Sequence, residues 1–324
     1  MEDYITRRIK NTKSKRIAHI YYDKNKNKIN KERINKYIND LYIPPAYKEV
    51  KINLNKNDKV LAMGYDNKGR SQYIYNKKFI KGREKSKYKH MIDFGESYNR
   101  ILNKIKKDLY LEGDSKNKQI AMALMLVIEC GIRIGSEKYK NENNSFGATT
   151  LESRHIKINK DLISVNFIGK KGILNTGKVK NKKLSKNLRK KKKTLKKNDS
   201  IFIYRKENNW YKLKSTDVNK YLKRFGNFTS KNFRTWIANL EFIKELLKSN
   251  KKTTLTQREK DIKEALKKVA DKLNNTPTVC RKNYIDPFII NIYLNNPKRY
   301  WETFKHIESK NNISEDYIQL LKSR

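Results

Sequence analysis

The sequence predicts an α+β protein: a small β-rich N-terminal domain and a larger, mainly α-helical C-terminal domain with an inserted β-hairpin. Three observations predict it. Up to about residue 80, short runs alternate apolar and polar side chains and are separated by Gly, Pro and Asn. From Phe94 onward, apolar residues recur at helical spacing. Among those helices, Leu162–Ile168 alternates with period two and runs into a turn flanked by glycines.

Taken in order, Ile17–Tyr22 reads as a strand and Lys24-Asn25-Lys26-Asn27 as a turn. Residues 30–42 place Ile34, Tyr37, Ile38 and Leu41 on one helical face, and Pro44-Pro45 follows. Val50–Leu54, Val60–Met63 and Gln72–Tyr75 alternate as strands, with Gly69-Arg70 as a turn. We read residues 1–82 as the β-rich domain, 83–90 as a polar linker, which in a DNA-binding protein could strap over the duplex, and 91–324 as the helical domain.

In the second domain, Phe94, Tyr98, Ile101, Leu102, Ile105 and Leu109 share a face. The near-continuous apolar run Ile120–Cys130 reads as a buried helix ended by Gly131. The hairpin turns at Gly169-Lys170-Lys171-Gly172, and residues 188–195 form a strongly basic helix. That helix is either a solvated face or a contact for phosphate or a targeting receptor. Further helices are expected around 218–225, 233–247, 262–273 and 288–323. Thr276 can cap a helix that starts at Pro277 and stops near Tyr284, ahead of Pro287.

Composition narrows the function. The 324 residues hold 78 Lys+Arg against 33 Asp+Glu, a net charge of +45 spread along the chain. Self-repulsion penalises such an excess, so a polyanionic partner is implied, and nucleic acid is the commonest one. The two cysteines and four histidines are scattered, without the spacing of a zinc site or a disulfide framework, so no metal and no cofactor are expected. The start lacks an apolar signal segment, and the longest apolar run is too short to span a bilayer. A soluble, intracellular protein is expected.

Several charged residues sit where packing would not place them. Arg133 follows the most apolar helix, and needs either Glu129 or an outside anion as partner. Arg234 is embedded among the core positions of its helix, with Lys231 three residues earlier on the same side. Lys170 occupies the hairpin tip. Tyr284 stands beside Arg281 and Lys282, where its ionised form would be favoured. Together these are the parts for phosphoryl transfer to a tyrosine: a nucleophile, two forked cations and a proton donor.

The ordered words Gly131-Ile132-Arg133-Ile134-Gly135, Phe146-Gly147-Ala148-Thr149-Thr150-Leu151, Lys231-x-x-Arg234-Thr235-Trp236, Asn275-Thr276-Pro277 and Arg281-Lys282-x-Tyr284 resemble type IB DNA topoisomerases of the small poxvirus and bacterial kind. Ile43-Pro44-Pro45-Ala46-Tyr47 and Gly69-Arg70-Ser71-Gln72-Tyr73 extend the resemblance toward the N-terminus. It implies a C-shaped clamp on double-stranded DNA, acting as a monomer, whose catalytic fold is shared with tyrosine recombinases. It also implies that Tyr284 becomes joined to a 3′ phosphate, that Arg133 and Arg234 brace the non-bridging oxygens, that Lys170 protonates the leaving 5′ oxygen, and that Lys231 supports the site. Gln72, Tyr73, Tyr75, Arg70 and Tyr139 match DNA contacts.

Asn275 stands where the poxvirus enzymes carry histidine, and bacterial-type relatives resemble this chain in having asparagine; an amide donates a neutral hydrogen bond where an imidazolium donates a charged one. The match also implies a large DNA virus, and so a viral replication site in the cytoplasm or the virion. Two alternatives are weighed against it. A tyrosine recombinase usually carries histidine at the position of Lys231. A non-catalytic basic DNA-binding protein explains the charge but not the ordered set.

Overall fold

The computed structural model describes residues 3–10, 18–39, 41–251, 253–304 and 310–324. The chain divides into two compact units, Met1–Tyr88 and Lys89–Arg324. Ile17, the first residue of one expected strand, and 305–309, within the last expected helical stretch, lie outside the described residues.

The first unit is built on a five-stranded antiparallel sheet. Its strands are β1 (Tyr4–Lys10), β2 (Ala18–Tyr22), β3 (Lys48–Asn53), β4 (Val60–Tyr65) and β5 (Ser71–Tyr75), in the order β2-β1-β3-β4-β5. Helix α1 (Lys31–Ile38) starts where the Asn30 side chain accepts a hydrogen bond from the Arg33 amide at 3.0 Å. Ile5, Val50, Ile52 and Ala62 form the core, with Tyr37, Ile38 and Leu41 against it.

Strand β1 went unread because a charge occupies an inward position. Arg7 is 3% exposed and donates to the carbonyls of Ile43, Pro44 and Tyr47 at 3.2, 2.8 and 3.0 Å. It therefore pins the Pro44-Pro45 loop to the sheet. Burial lowers its basicity, and the three carbonyls satisfy Nη1 and Nη2, while the buried Nε has no partner among the described residues.

Helix α2 (Lys77–Asp108) runs unbroken through the stretch expected as a linker. The 83–90 segment is thus helical, since Lys, Arg and Glu favour helix without any apolar stripe.

The second unit centres on α3 (Lys116–Cys130), which is buried along nearly all its length. After it come α4 (Glu137–Asn143) and a three-stranded antiparallel sheet, β6 (Ile156–Asn159), β7 (Leu162–Ile168) and β8 (Leu174–Lys180). The expected hairpin is therefore two strands of a meander. Helix α5 (Lys182–Lys192), the hairpin β9 (Ile203–Lys206) and β10 (Asn209–Lys212), α6 (Ser215–Leu222) and α7 (Ser230–Leu246) follow. The chain closes with α8 (Leu255–Leu273), α9 (Pro277–Asn283), α10 (Pro287–Asn295), α11 (Pro297–Thr303) and α12 (Lys310–Lys322).

Helix α5 is the expected basic helix, shifted toward the N-terminus. Leu184 and Leu188 face inward, and so does Lys191, whose ammonium donates to Asp114 at 2.8 Å and to the Ile203 carbonyl at 2.9 Å. Part of the basic run is thus structural. Between α2 and α7, Phe94 meets Phe233 edge to face with ring centroids 5.0 Å apart, and Trp236 is fully buried. Each such side chain contributes about 1.5–3 kcal/mol by leaving water, far more than the helix propensity of any one residue.

Candidate active site

The site begins at the C-terminal end of α3. Gly131 caps the helix at φ 61°, and a Cβ there would lie 2.4 Å from the Lys272 carbonyl oxygen. Only glycine permits both the left-handed turn and this approach of α3 to the end of α8. The loop that follows is fastened along its length. The Ala148 amide donates to the Arg133 carbonyl and the Thr149 amide to the Ile134 carbonyl, both at 2.8 Å. Arg133 is thereby directed at the segment after α8, where its Nη2 donates to Asn275 Oδ1 at 2.6 Å. Glu129, offered by the sequence as a partner, is exposed instead.

Helix α7 brings in Arg234, which is 3% exposed. Its Nη2 donates to the Leu273 carbonyl at 3.1 Å and its Nε to the Tyr284 hydroxyl at 3.4 Å. Its Cζ lies 5.3 Å from the Tyr284 ring centroid. The buried Nη1 has no hydrogen-bond partner among the described residues. A guanidinium held by two neighbours and left with one open, desolvated donor is built to receive an anion. Burial and the charge of Arg133 both lower its basicity and Tyr284 raises it, with a net lowering. Lys231 is exposed, one turn before Arg234 on α7.

Tyr284 closes α9, with its amide donating to the Cys280 carbonyl at 2.9 Å. Thr276 caps the start of that helix by accepting from the Val279 amide at 3.3 Å. The phenol is 7% exposed. Burial pushes its pKa up. The charge and hydrogen bond of Arg234, then the charges of Arg133 and Lys231, outweigh burial and leave the pKa below that of an ordinary tyrosine. Arg281 and Lys282, the cations adjacent in sequence, are exposed and are not among the groups that depress it. The cations that matter come from elsewhere in the chain.

Asn239, fully buried on α7, was missed from the sequence. Its Nδ2 donates to the Tyr284 carbonyl at 2.9 Å and to the Thr235 carbonyl at 2.8 Å, and its Oδ1 accepts from the Asp286 amide at 2.8 Å. It grips the main chain on both sides of Ile285 and so sets where Tyr284 ends α9. An Asn one turn and a residue past Arg234, inside an apolar helix, was the available signal. Cys280 and Cys130 flank the site. Both are free and buried, and burial pushes their thiols up to about 11 and about 12.

Asn275 accepts from Arg133 and donates from Nδ2 to the Leu273 carbonyl at 3.3 Å. Its amide therefore orients Arg133, a part not foreseen from the sequence. Lys170 stands apart from these groups. It is exposed, its ammonium lies 5.9 Å from the ring centroid of Tyr139, and it has no hydrogen bond to Arg133 or Tyr284 among the described residues. Among the described residues, no three His, Cys, Asp or Glu side chains are grouped to hold a metal ion, and no helix is long and apolar enough to cross a membrane.

Residues 76–306 match the family described as eukaryotic DNA topoisomerase I, catalytic core. The chain is also 33% identical to DNA topoisomerase 1B of Acanthamoeba polyphaga mimivirus over 327 residues, covering 95% of this chain and 92% of the relative. The chain belongs to the type IB DNA topoisomerases. Residues 18–66 of this topoisomerase match the bacterial DNA topoisomerase IB N-terminal domain. DNA topoisomerase 1B of vaccinia virus (strain Copenhagen) is 27% identical over 234 residues, 72% of each chain. DNA topoisomerase 1 of rabbit fibroma virus is 26% identical over 257 residues, 77% of this chain and 76% of the relative.

In the N-terminal unit of this topoisomerase, the expected DNA contacts lie on or beside β5. Arg70 Nε donates to Asp66 at 2.9 Å and Gln72 Nε2 at 3.1 Å. The Arg70 hydrogen bond leads in holding the Asp66 carboxyl down at about 2. Tyr73 is 48% exposed and stacks on Tyr75, with ring centroids 6.3 Å apart. Tyr139, on α4 of the larger unit, is likewise an exposed aromatic, beside the Lys170 ammonium.

Proposed function

We propose that this topoisomerase relaxes supercoiled DNA by cutting one strand through a 3′-phosphotyrosyl intermediate, letting the free end swivel, and resealing it. The observation that carries the reading is the Arg234–Tyr284 pair: a buried phenol of lowered pKa, bonded by a buried guanidinium that keeps one donor open. The Tyr284 hydroxyl gives its proton to solvent, its oxygen attacks a backbone phosphorus, and the bond to the 5′ oxygen breaks. Arg234, and Arg133 oriented by Asn275, stabilise the charge that grows on the non-bridging oxygens. Lys231 adds positive charge at the rim. Resealing runs the same steps backward. One phosphodiester is exchanged for another, so the reaction draws on neither ATP nor a metal ion.

Lys170 supplies the proton to the leaving 5′ oxygen in this scheme. Its exposed place at the hairpin tip supports the role, because an ammonium there can enter a groove of bound DNA. Arg70, Gln72, Tyr73, Tyr75 and Tyr139 hold the duplex through phosphate and base-edge contacts. The family resemblance supports a clamp around the duplex, a catalytic fold shared with tyrosine recombinases, action as a monomer and work at a site of viral DNA replication.

Two experiments test the scheme. Supercoiled plasmid incubated with the protein in EDTA and without ATP becomes relaxed; an unchanged linking number after deproteinisation would overturn the proposal. Lys170→Ala slows cleavage of ordinary DNA by roughly 10²–10⁴-fold, the usual range for a lost general acid. Cleavage recovers when the bridging 5′ oxygen is replaced by sulfur, which leaves without a proton. If the sulfur substrate is cut no better, Lys170 is not the acid.

A further inference from the structure

The hairpin that carries Lys170 is mounted on the same segments that carry Arg133 and Asn275. Midway along it, Gly177 of β8 packs on the last residue of α3: a Cβ there would lie 2.5 Å from the Cys130 Cβ. Toward the tip, the Phe146 amide donates to the Ile168 carbonyl at 2.8 Å, and Ser145 Oγ donates to the Gly169 carbonyl at 3.1 Å. Both contacts belong to the loop side that also fastens Arg133.

On the other side, β8 is the edge of its sheet, so the outward N–H and C=O of Thr176 need partners from elsewhere. One side chain supplies both. The Thr176 amide donates to Asn274 Oδ1 at 2.9 Å, and Asn274 Nδ2 donates to the Thr176 carbonyl at 3.1 Å. A primary amide is the neutral group able to accept and donate in this paired way, as a neighbouring strand would.

Asn274 is also fixed at its own backbone. It caps α8 in the left-handed region, at φ 50° and ψ 56°, and its amide donates to the Asp271 carbonyl at 3.2 Å. The next residue, Asn275, bonds Arg133. Two adjacent side chains therefore point two ways: Asn275 to the phosphate-bracing arginine, Asn274 to the strand that returns from Lys170.

We propose that Asn274 is a positioning residue for Lys170, setting where the hairpin stands relative to Arg133 and Tyr284. The proposal rests on Lys170 acting as the proton donor. A tip six residues from its anchor is displaced when one side of the mount is released, and a misplaced acid loses rate steeply. The effect falls on protonation of the leaving oxygen and spares the attack by Tyr284.

The test uses Asn274→Gly in the full chain, because glycine accepts the left-handed backbone and removes only the amide. Asn274→Asp is the second variant: it still accepts from the Thr176 amide but cannot donate to the carbonyl. Single-turnover cleavage is measured on DNA with oxygen or sulfur at the bridging 5′ position, with Lys170→Ala alongside. We expect N274G to cut the oxygen substrate about tenfold more slowly, N274D to fall between it and the parent, and both to cut the sulfur substrate at the parent rate. Equal slowing on both substrates, or no slowing on either, overturns the proposal. If Lys170→Ala is itself not rescued by sulfur, the acid assignment falls and takes this inference with it.

Discussion

Tyr284→Phe abolishes relaxation. The substitution removes one oxygen from a ring that is 7% exposed, so packing is kept and only the nucleophile is lost. Loss of a covalent nucleophile costs on the order of 10⁶-fold, beyond what a plasmid assay detects. The check is twofold: relaxation of supercoiled plasmid, and the covalent protein–DNA adduct on a denaturing gel. Both vanish together, while DNA binding stays near the parent value. A variant that relaxed plasmid normally would remove Tyr284 from the chemistry and with it the proposed mechanism. A recombinase would require paired specific sites for any product, which separates that reading in the same assay.

Arg234→Ala gives the second largest effect, and it shows in two readouts. Removing one preorganised donor to a developing oxyanion costs about 2.7–4 kcal/mol, or roughly 10²–10³ in cleavage rate. The same change removes the Nη2 bond to the Leu273 carbonyl at 3.1 Å, but that carbonyl keeps Asn275 Nδ2 as a donor at 3.3 Å, so the stability cost is that of one ordinary hydrogen bond, about 0.5–1.5 kcal/mol. The catalytic loss therefore exceeds what partial unfolding of a folded sample would give, and retained DNA binding confirms that the protein is intact.

The second readout is the titration of the phenol. In the parent protein burial raises the Tyr284 pKa, and Arg234 leads the charges that bring it below the ordinary value. Without Arg234, burial gains weight, and the phenolate forms only at higher pH. The rise of cleavage rate with pH should shift to higher pH in the variant, and the Tyr284 resonance, assigned by comparison with Tyr284→Phe, should shift with it. An unmoved inflection would mean that Arg234 does not govern the phenol.

Much of this was legible in the sequence, and the misses have physical causes. Amphipathic helices such as α7 and α8 could be read because one face is apolar at every turn. The strand β1 could not, because Arg7 sits inward and its carbonyl partners come from a distant loop. The hairpin β9–β10 escaped because most of its side chains are exposed, so no alternation marks it.

In the site, the oddly placed arginines were visible as charges inside apolar stretches. Their arrangement was not. Sequence proximity pointed to Arg281 and Lys282 as the cations acting on Tyr284, whereas the fold supplies Arg234, Arg133 and Lys231. Asn275 was read as a donor to phosphate, and its oxygen proved to hold Arg133. Asn239 and Asn274 act through main-chain groups of other segments, which no motif records.

The two thiols give the protein a built-in clock. Cys280 is fully buried on the helix that ends at Tyr284, and Cys130 is the last residue before the turn to Arg133. A thiol so placed, with its ionisation suppressed, reacts with an alkylating reagent only when its surroundings open. The rate of labelling at Cys280 therefore counts excursions of the nucleophile's helix, without any introduced probe, and the same count at Cys130 times the arginine's turn.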